Sequence, residues 1–168
     1  MRIILALFVS LYLAGFPPLH ADDTVSTTSS TERTDTERAD LLFYAMSLLG
    51  TAYKYGGDSP LTGMDCSGFV RHVYSNVIGL QLPRNARDIS QTGETVSEPD
   101  LRPGDLVFFN TMKHAFSHVG IYLGEHRFIH APSSKTGKIM ISDMTEKYWS
   151  TRFNGARRLT QALLLPGN

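Results

Sequence analysis

Cys66 is the only cysteine in a chain of 168 residues, and it stands in the run MDCSGFV, residues 64–70. Asp65 before it is a natural helix N-cap, which places the thiol in a first helical turn. There the positive end of the helix dipole would stabilise a thiolate and lower its pKa. The thiolate is the nucleophilic form, so the position suits covalent catalysis. Ser67 and Gly68 are small and would leave the sulfur open to a substrate. Gly68 is a poor choice merely to hold a helix, and close approach of another stretch of chain explains it better. The alternative, a buried structural cysteine, is a common role for free thiols. Position and neighbours weigh against it here.

A thiol nucleophile needs a base, normally histidine. Of six histidines, His20 lies in the amino-terminal apolar stretch and His72 sits more than a helical turn beyond Cys66. His114 and His126 fall in or beside loops. His118 and His130 differ, because SHVGIYLG and RFIHAP around Gly124 read as a β-hairpin. A three-residue loop, Leu123-Gly124-Glu125, would set Tyr122 opposite His126 and His118 opposite His130. Side chains directly opposite share a face, with Cβ atoms roughly 4.5–5.5 Å apart; a two-residue loop would put the two rings on opposite faces. One imidazole can then serve the thiol while the other orients it. Val119-Gly120 after His118 leaves room for a neighbouring helix, so His118 is assigned as base and His130 as orienter.

Those residues need elements to carry them. A helix is expected from the capping-box pair Thr34/Glu37 to Gly50, apolar at 41, 42, 45, 46, 48 and 49. A second runs from Asp65 to a stop at Gly79, with Phe69, Val70, Val73, Tyr74, Val77 and Ile78 at helical spacing. LPRNARDISQTG reads as a short third helix. Strands follow at DLVFFN, SHVGIYLG, RFIHAP and KIMIS, then a short helix at DMTEKYW and a closing strand near RFNGARRL. Helices first and an antiparallel sheet afterwards make an α+β domain.

The ends bear on compartment. Arg2, an apolar Ile3–Phe16 and LHA ending at Ala21 have the layout of a secretory signal peptide. No cysteine lies near that cut, so attachment as a lipoprotein is not expected. Residues 22–38 are Ser/Thr-rich and read as a flexible tether, with a catalytic domain over 39–160 and a tail at 161–168. Formal charge is zero, or about −1 without Arg2, which gives no electrostatic grip on nucleic acid. A single cysteine cannot form an internal disulfide.

DCSGFV, the preceding YKYGG, PGDLVFF, HVGIYLG, FIHAP and the late GARR resemble the NlpC-type cell-wall peptidases, from about Ala39 to Leu159. The resemblance implies a papain-like α+β fold, with the nucleophile at a helix N-terminus packed on an antiparallel sheet. It implies Cys66 as nucleophile, His118 as base and His130 as third polar residue. It also implies Tyr53 in an oxyanion hole with the Cys66 backbone N–H; a core aromatic is the alternative for Tyr53. The implied substrate is the stem peptide of peptidoglycan, often cut between D- and L-centres, by a monomeric exported enzyme of the periplasm or envelope. Arg84 and Arg87 are candidates for reading stem-peptide carboxylates, with Asp65 and Ser67 beside the nucleophile. No metal or cofactor is expected. Three rivals stand beside this reading: a zinc site of Cys and two His, which lacks the usual ligand spacing, a binding module, and an acyl transferase.

Overall fold

The computed structural model describes residues 24–112 and 114–159, with side chains from residue 35 onward. The expected signal peptide and carboxy-terminal tail lie outside the described residues. The chain runs α1 (Thr24–Ser47), β1 (Asp58–Ser59), β2 (Gly63–Met64), α2 (Cys66–Ile78) and α3 (Ala86–Ile89). It continues through β3 (Glu94–Val96), a 3-10 turn, β4 (Leu106–Phe109), β5 (His118–Gly124), β6 (Arg127–His130), β7 (Met140–Asp143), α4 (Lys147–Ser150) and β8 (Phe153–Arg158). The expected helices and main strands are present; β1, β2 and β3 carried too few residues to show a period.

One expectation is corrected at the start. α1 begins at Thr24, not at Thr34, so the backbone is helical through the segment read as a tether. A composition that cannot build a core does not forbid a helix, because helical hydrogen bonds are closed within the segment.

Six strands form one antiparallel sheet in the order β3-β8-β4-β5-β6-β7. Strand side chains alternate between faces, and the two faces bury different clusters. Leu106, Phe108, Val119, Ile121 and Ile129 pack against Leu41 and Ala45 of α1 and against Phe69, Val70 and Val73 of α2. Each such buried Val, Leu, Ile or Phe side chain contributes roughly 1.5–3 kcal/mol relative to exposure. The opposite face holds Val107, Phe109, Tyr122 and Phe128 under Trp149 of α4. His118 alternates with Val119, and His130 with Ile129, so both imidazoles belong to this second face.

The hairpin between β5 and β6 corrects the expected register. The pairs are Ile121↔Ile129, Tyr122↔Phe128 and Gly124↔Arg127, with a shift between Tyr122 and Gly124. The turn is therefore two residues, Glu125-His126, both at positive φ (50° and 59°), as a primed turn requires. A two-residue turn alone would separate the histidines. The bulge at Leu123 adds one residue to β5 and restores the parity. His118 and His130 thus share a face, as diagonal neighbours and not as a directly opposed pair.

Candidate active site

α2 delivers the thiol as its sequence dictates. Asp65 adopts the extended cap conformation and its Oδ1 accepts the Gly68 N–H at 2.7 Å; Gly79 closes the helix in the left-handed region at φ 72°. Such a side-chain cap contributes about 1 kcal/mol. Cys66 is half-buried and free. Gly68 is where the Tyr53–Gly57 segment comes closest: a Cβ there would lie 2.0 Å from the Gly57 carbonyl oxygen. The expected close approach is therefore real, but it is packing. Ser67 and Gly68 are themselves buried, while Cys66 and Ser67 both line an open cleft.

The two histidines meet across the sheet. His118 Nε2 and His130 Nδ1 are 2.7 Å apart, and His130 Nε2 lies 3.0 Å from Ser142 Oγ on β7. Trp149 stacks on the His118 ring at 5.6 Å and meets His130 edge-on at 4.9 Å, while Phe128 lies 4.5 Å from His130. Gly120 serves this packing. A Cβ on it would fall 2.7 Å from Phe128 Cδ2 and 3.1 Å from His130 Cβ. The space expected for a helix is occupied instead by β6. Three of the four ring nitrogens are engaged in the chain, which leaves His118 Nδ1 for the cleft that Cys66 also lines. Among the described residues, no group of three or more His, Cys, Asp or Glu is arranged to hold a metal ion.

Burial dominates the electrostatics. It pushes the Cys66 thiol up to about 11, and the Asp65 carboxylate adds to the rise; backbone N–H groups of Val119, Ser67 and Cys66 oppose it. The expected dipole-lowered thiolate is thereby corrected. Burial likewise pushes His118 down to about 4, against the pull of Asp65. Burial first, and then His118, hold His130 well below the usual imidazole range. The resting pair is a neutral thiol and a neutral imidazole lining one cleft, suited to pass a proton as a bond forms to sulfur.

The remaining candidates sort by their partners. The Tyr53 phenol is raised by burial, then by Cys66 and Asp65, so it stays a donor, and it lines the same cleft. Its backbone N–H donates to the Gly137 carbonyl at 2.8 Å, while Lys54 N–H to the Met64 carbonyl and Met64 N–H to the Ala52 carbonyl, at 3.1 and 3.0 Å, fix the segment beside β2. Arg84 is not free to read a substrate carboxylate as placed. Its Nη1 and Nη2 donate to Asp65 Oδ1 and Oδ2 at 3.2 and 2.9 Å, and Nη1 also to Ser67 Oγ at 2.9 Å. Burial works to raise the Asp65 carboxyl, yet hydrogen bonds from Arg84, Gly68 and Ser67 hold it below the usual range. Arg87 lines the cleft, exposed and without an ion pair among the described residues.

The cleft measures about 1040 Å³ and also takes in His114, Ser133 and Tyr148. Ser142, Trp149 and His114 are site residues that the sequence reading missed. Ser142 lies in a short strand whose register no local signal fixes, and Trp149 reads as an ordinary core aromatic.

Comparison with known proteins identifies the family and the fold. The model of the NlpC/P60 family matches residues 50–158. Murein DD-endopeptidase MepS/Murein LD-carboxypeptidase of Escherichia coli is 44% identical over 110 residues, 66% of this chain and 56% of that protein. Gamma-DL-glutamyl hydrolase of Bacillus subtilis is 43% identical over 115 residues, 68% of this chain and 27% of that protein. The chain thus spans roughly half or less of these relatives' lengths. Among solved structures, an NlpC/P60 family protein from Bacillus cereus superimposes with a TM-score of 0.67 at 32% identity, covering 72% of this chain and 39% of that one. The NlpC/p60 domain of peptidoglycan hydrolase SagA gives 0.63 at 30% identity, covering 73% of this chain and 98% of that one.

Proposed function

Because the chain belongs to the NlpC/P60 family, we propose that it is a peptidoglycan endopeptidase working through Cys66, His118 and His130. The observation that carries the reading is the hydrogen-bonded His118–His130 pair opening onto the cleft that Cys66 lines. Relatives named as murein endopeptidases support the substrate class.

In this reading His118 Nδ1 takes the thiol proton as Sγ attacks the scissile carbonyl carbon. His130 accepts the Nε2–H of His118 and holds the ring in place. The Tyr53 hydroxyl and the Cys66 backbone N–H stabilise the oxyanion. The intermediate collapses to a thioester as the amine leaves with the proton from His118. Water, deprotonated by the same nitrogen, then releases the acid and restores the thiol. Asp65, fixed by Arg84, holds the helix start and the Tyr53 segment together, and its Oδ2 accepts the Gly56 N–H at 2.9 Å. Arg87 supplies the cation of the cleft for stem-peptide carboxylates. The preferred bond joins D- and L-centres, such as D-glutamyl–diaminopimelate, or is a diaminopimelate crosslink.

The amino-terminal apolar stretch supports export, with action in the periplasm or envelope as a monomer. Among the described residues no helix is long and apolar enough to cross a membrane. The test is mass spectrometry of peptidoglycan fragments after incubation with the protein and with Cys66→Ala. New stem-peptide fragments from the intact thiol alone are expected, and their masses name the bond. Unchanged fragments in both samples would overturn the reading.

A further inference from the structure

Ser142 is the third hydrogen-bonding partner in the chain from the cleft through the two histidines, and the roles given above do not use it. Its Oγ lies 3.0 Å from His130 Nε2. β7 brings it there: Ser142 pairs with Phe128 and Met140 with His130, so the serine is a diagonal neighbour of the imidazole on the same face. His130 has no exposed surface. Phe128 and Trp149 fix the plane of its ring, but apolar walls cannot tell which nitrogen carries the proton. Only a polar partner can, and the partly exposed Ser142 hydroxyl can turn its own proton to solvent and accept from His130 Nε2–H.

We propose that Ser142 is a positioning residue, whose hydroxyl holds the His130 proton on Nε2 and so keeps the His118 Nδ1 lone pair free for the thiol. This rests on the assignment of His118 as base. With the His130 proton on Nε2 and directed at Ser142, His130 Nδ1 must accept from His118 Nε2–H. His118 is then unprotonated at Nδ1, the nitrogen left for the cleft. Without the hydroxyl, a proton on His130 Nε2 would be buried and unpaired, which is unfavourable. His130 escapes by carrying the proton on Nδ1 and donating it to His118. That reverses the chain, protonates His118 at Nδ1 and removes the base. The groups acting on His118 are the Asp65 carboxylate from the α2 side and His130 from β6, with the Cys66 thiol lining the same cleft; Phe109 and Trp149 complete its walls. Those facing His130 are His118, the Ser142 hydroxyl, Phe128 and Trp149.

The test reads the thiol directly, without peptidoglycan. Alkylation of Cys66 by iodoacetamide forms the S–C bond, expels iodide and passes the thiol proton to His118 or to solvent. The unmodified protein should show a base-assisted plateau near neutral pH and a thiolate-driven rise at alkaline pH. In Ser142→Ala and Ser142→Gly the plateau should fall by tenfold or more, with the alkaline arm unchanged. Ser142→Thr, which keeps a hydroxyl, should retain the plateau. The imidazole ¹⁵N shifts should move in step: His118 Nδ1 unprotonated in the unmodified protein and in the Thr variant, protonated in the Ala and Gly variants. An intact plateau and unaltered ¹⁵N shifts in a folded Ala or Gly variant would overturn the proposal. So would a Thr variant that behaves like Ala. Peptidoglycan left uncut while these differences persist would instead refute the peptidase reading alone.

Discussion

Acid should weaken this fold through its buried histidines before its carboxylates titrate. Burial keeps His118 neutral down to about 4, whereas its ordinary value is 6.5. A folded value below the unfolded one means that the unfolded chain binds the extra proton first. The stability is therefore complete above about pH 6.5 and is lost as pH falls from there through about 4. The interval is roughly 2.5 pH units, and each unit is worth about 1.4 kcal/mol per proton, so His118 alone accounts for roughly 3 kcal/mol. His130 is lowered as well and acts in the same direction. Against a typical domain stability of about 5–15 kcal/mol, that is a large fraction. The assay is urea unfolding at a series of pH values between 6.5 and 5, above the range where most carboxylates titrate. With both rings taking protons on unfolding, the slope should approach about 2.7 kcal/mol per pH unit, and in His118→Leu about half of that. The leucine variant will be less stable throughout, since His130 loses a partner, but it is the slope that reports the proton. A flat profile, or an unchanged slope in the variant, would refute the reasoning.

Other perturbations follow from single contacts. Gly120→Ala puts a Cβ 2.7 Å from Phe128 Cδ2 and 2.9 Å from the Ile129 carbonyl oxygen; overpacking of this kind costs about 1–3 kcal/mol. The melting temperature should fall, and hydrolysis should fall further as β6 carries His130 out of place. Tyr53→Phe should lower kcat by about a hundredfold with little change in KM or melting temperature, the signature of a lost oxyanion donor. A kcat within a factor of about two of the unmodified protein would remove Tyr53 from that role. Arg84→Met removes a hydrogen-bonding partner that holds the Asp65 carboxyl low. That carboxylate stabilises the fold above its unfolded value and is lost as pH falls through the lowered one. Acid unfolding followed by circular dichroism should accordingly begin at higher pH in the variant.

Much of the site was legible because its signals are local. A cap residue, a helix-period face and a stop glycine set α2, and all of them lie in or next to the 13-residue helix that begins at Cys66. The pairing of His118 with His130 was legible as a parity argument: an odd number of extra residues had to lie between the two strands. The way that odd residue is supplied was not legible. A bulge at Leu123 with a Glu125-His126 turn lacks the glycine or asparagine that announces a primed turn, and it shifts the rings from opposed to diagonal. Long-range neighbours were equally hidden. Ser142 reaches His130 only through the β6–β7 register, and Arg84 reaches Asp65 across 19 positions of sequence. The thiol expectation failed for a different reason. Helix position can be read locally, but the burial that outweighs it comes from tertiary packing around the thiol, which even the opposing backbone N–H of Val119 does not offset.

The most direct test of Cys66 as the nucleophile is peptidoglycan hydrolysis measured against the fraction of Cys66 alkylated, with the label located by peptide mapping. The account predicts activity falling in proportion to modification and reaching zero when every Cys66 is labelled. Hydrolysis that survives complete alkylation would contradict it.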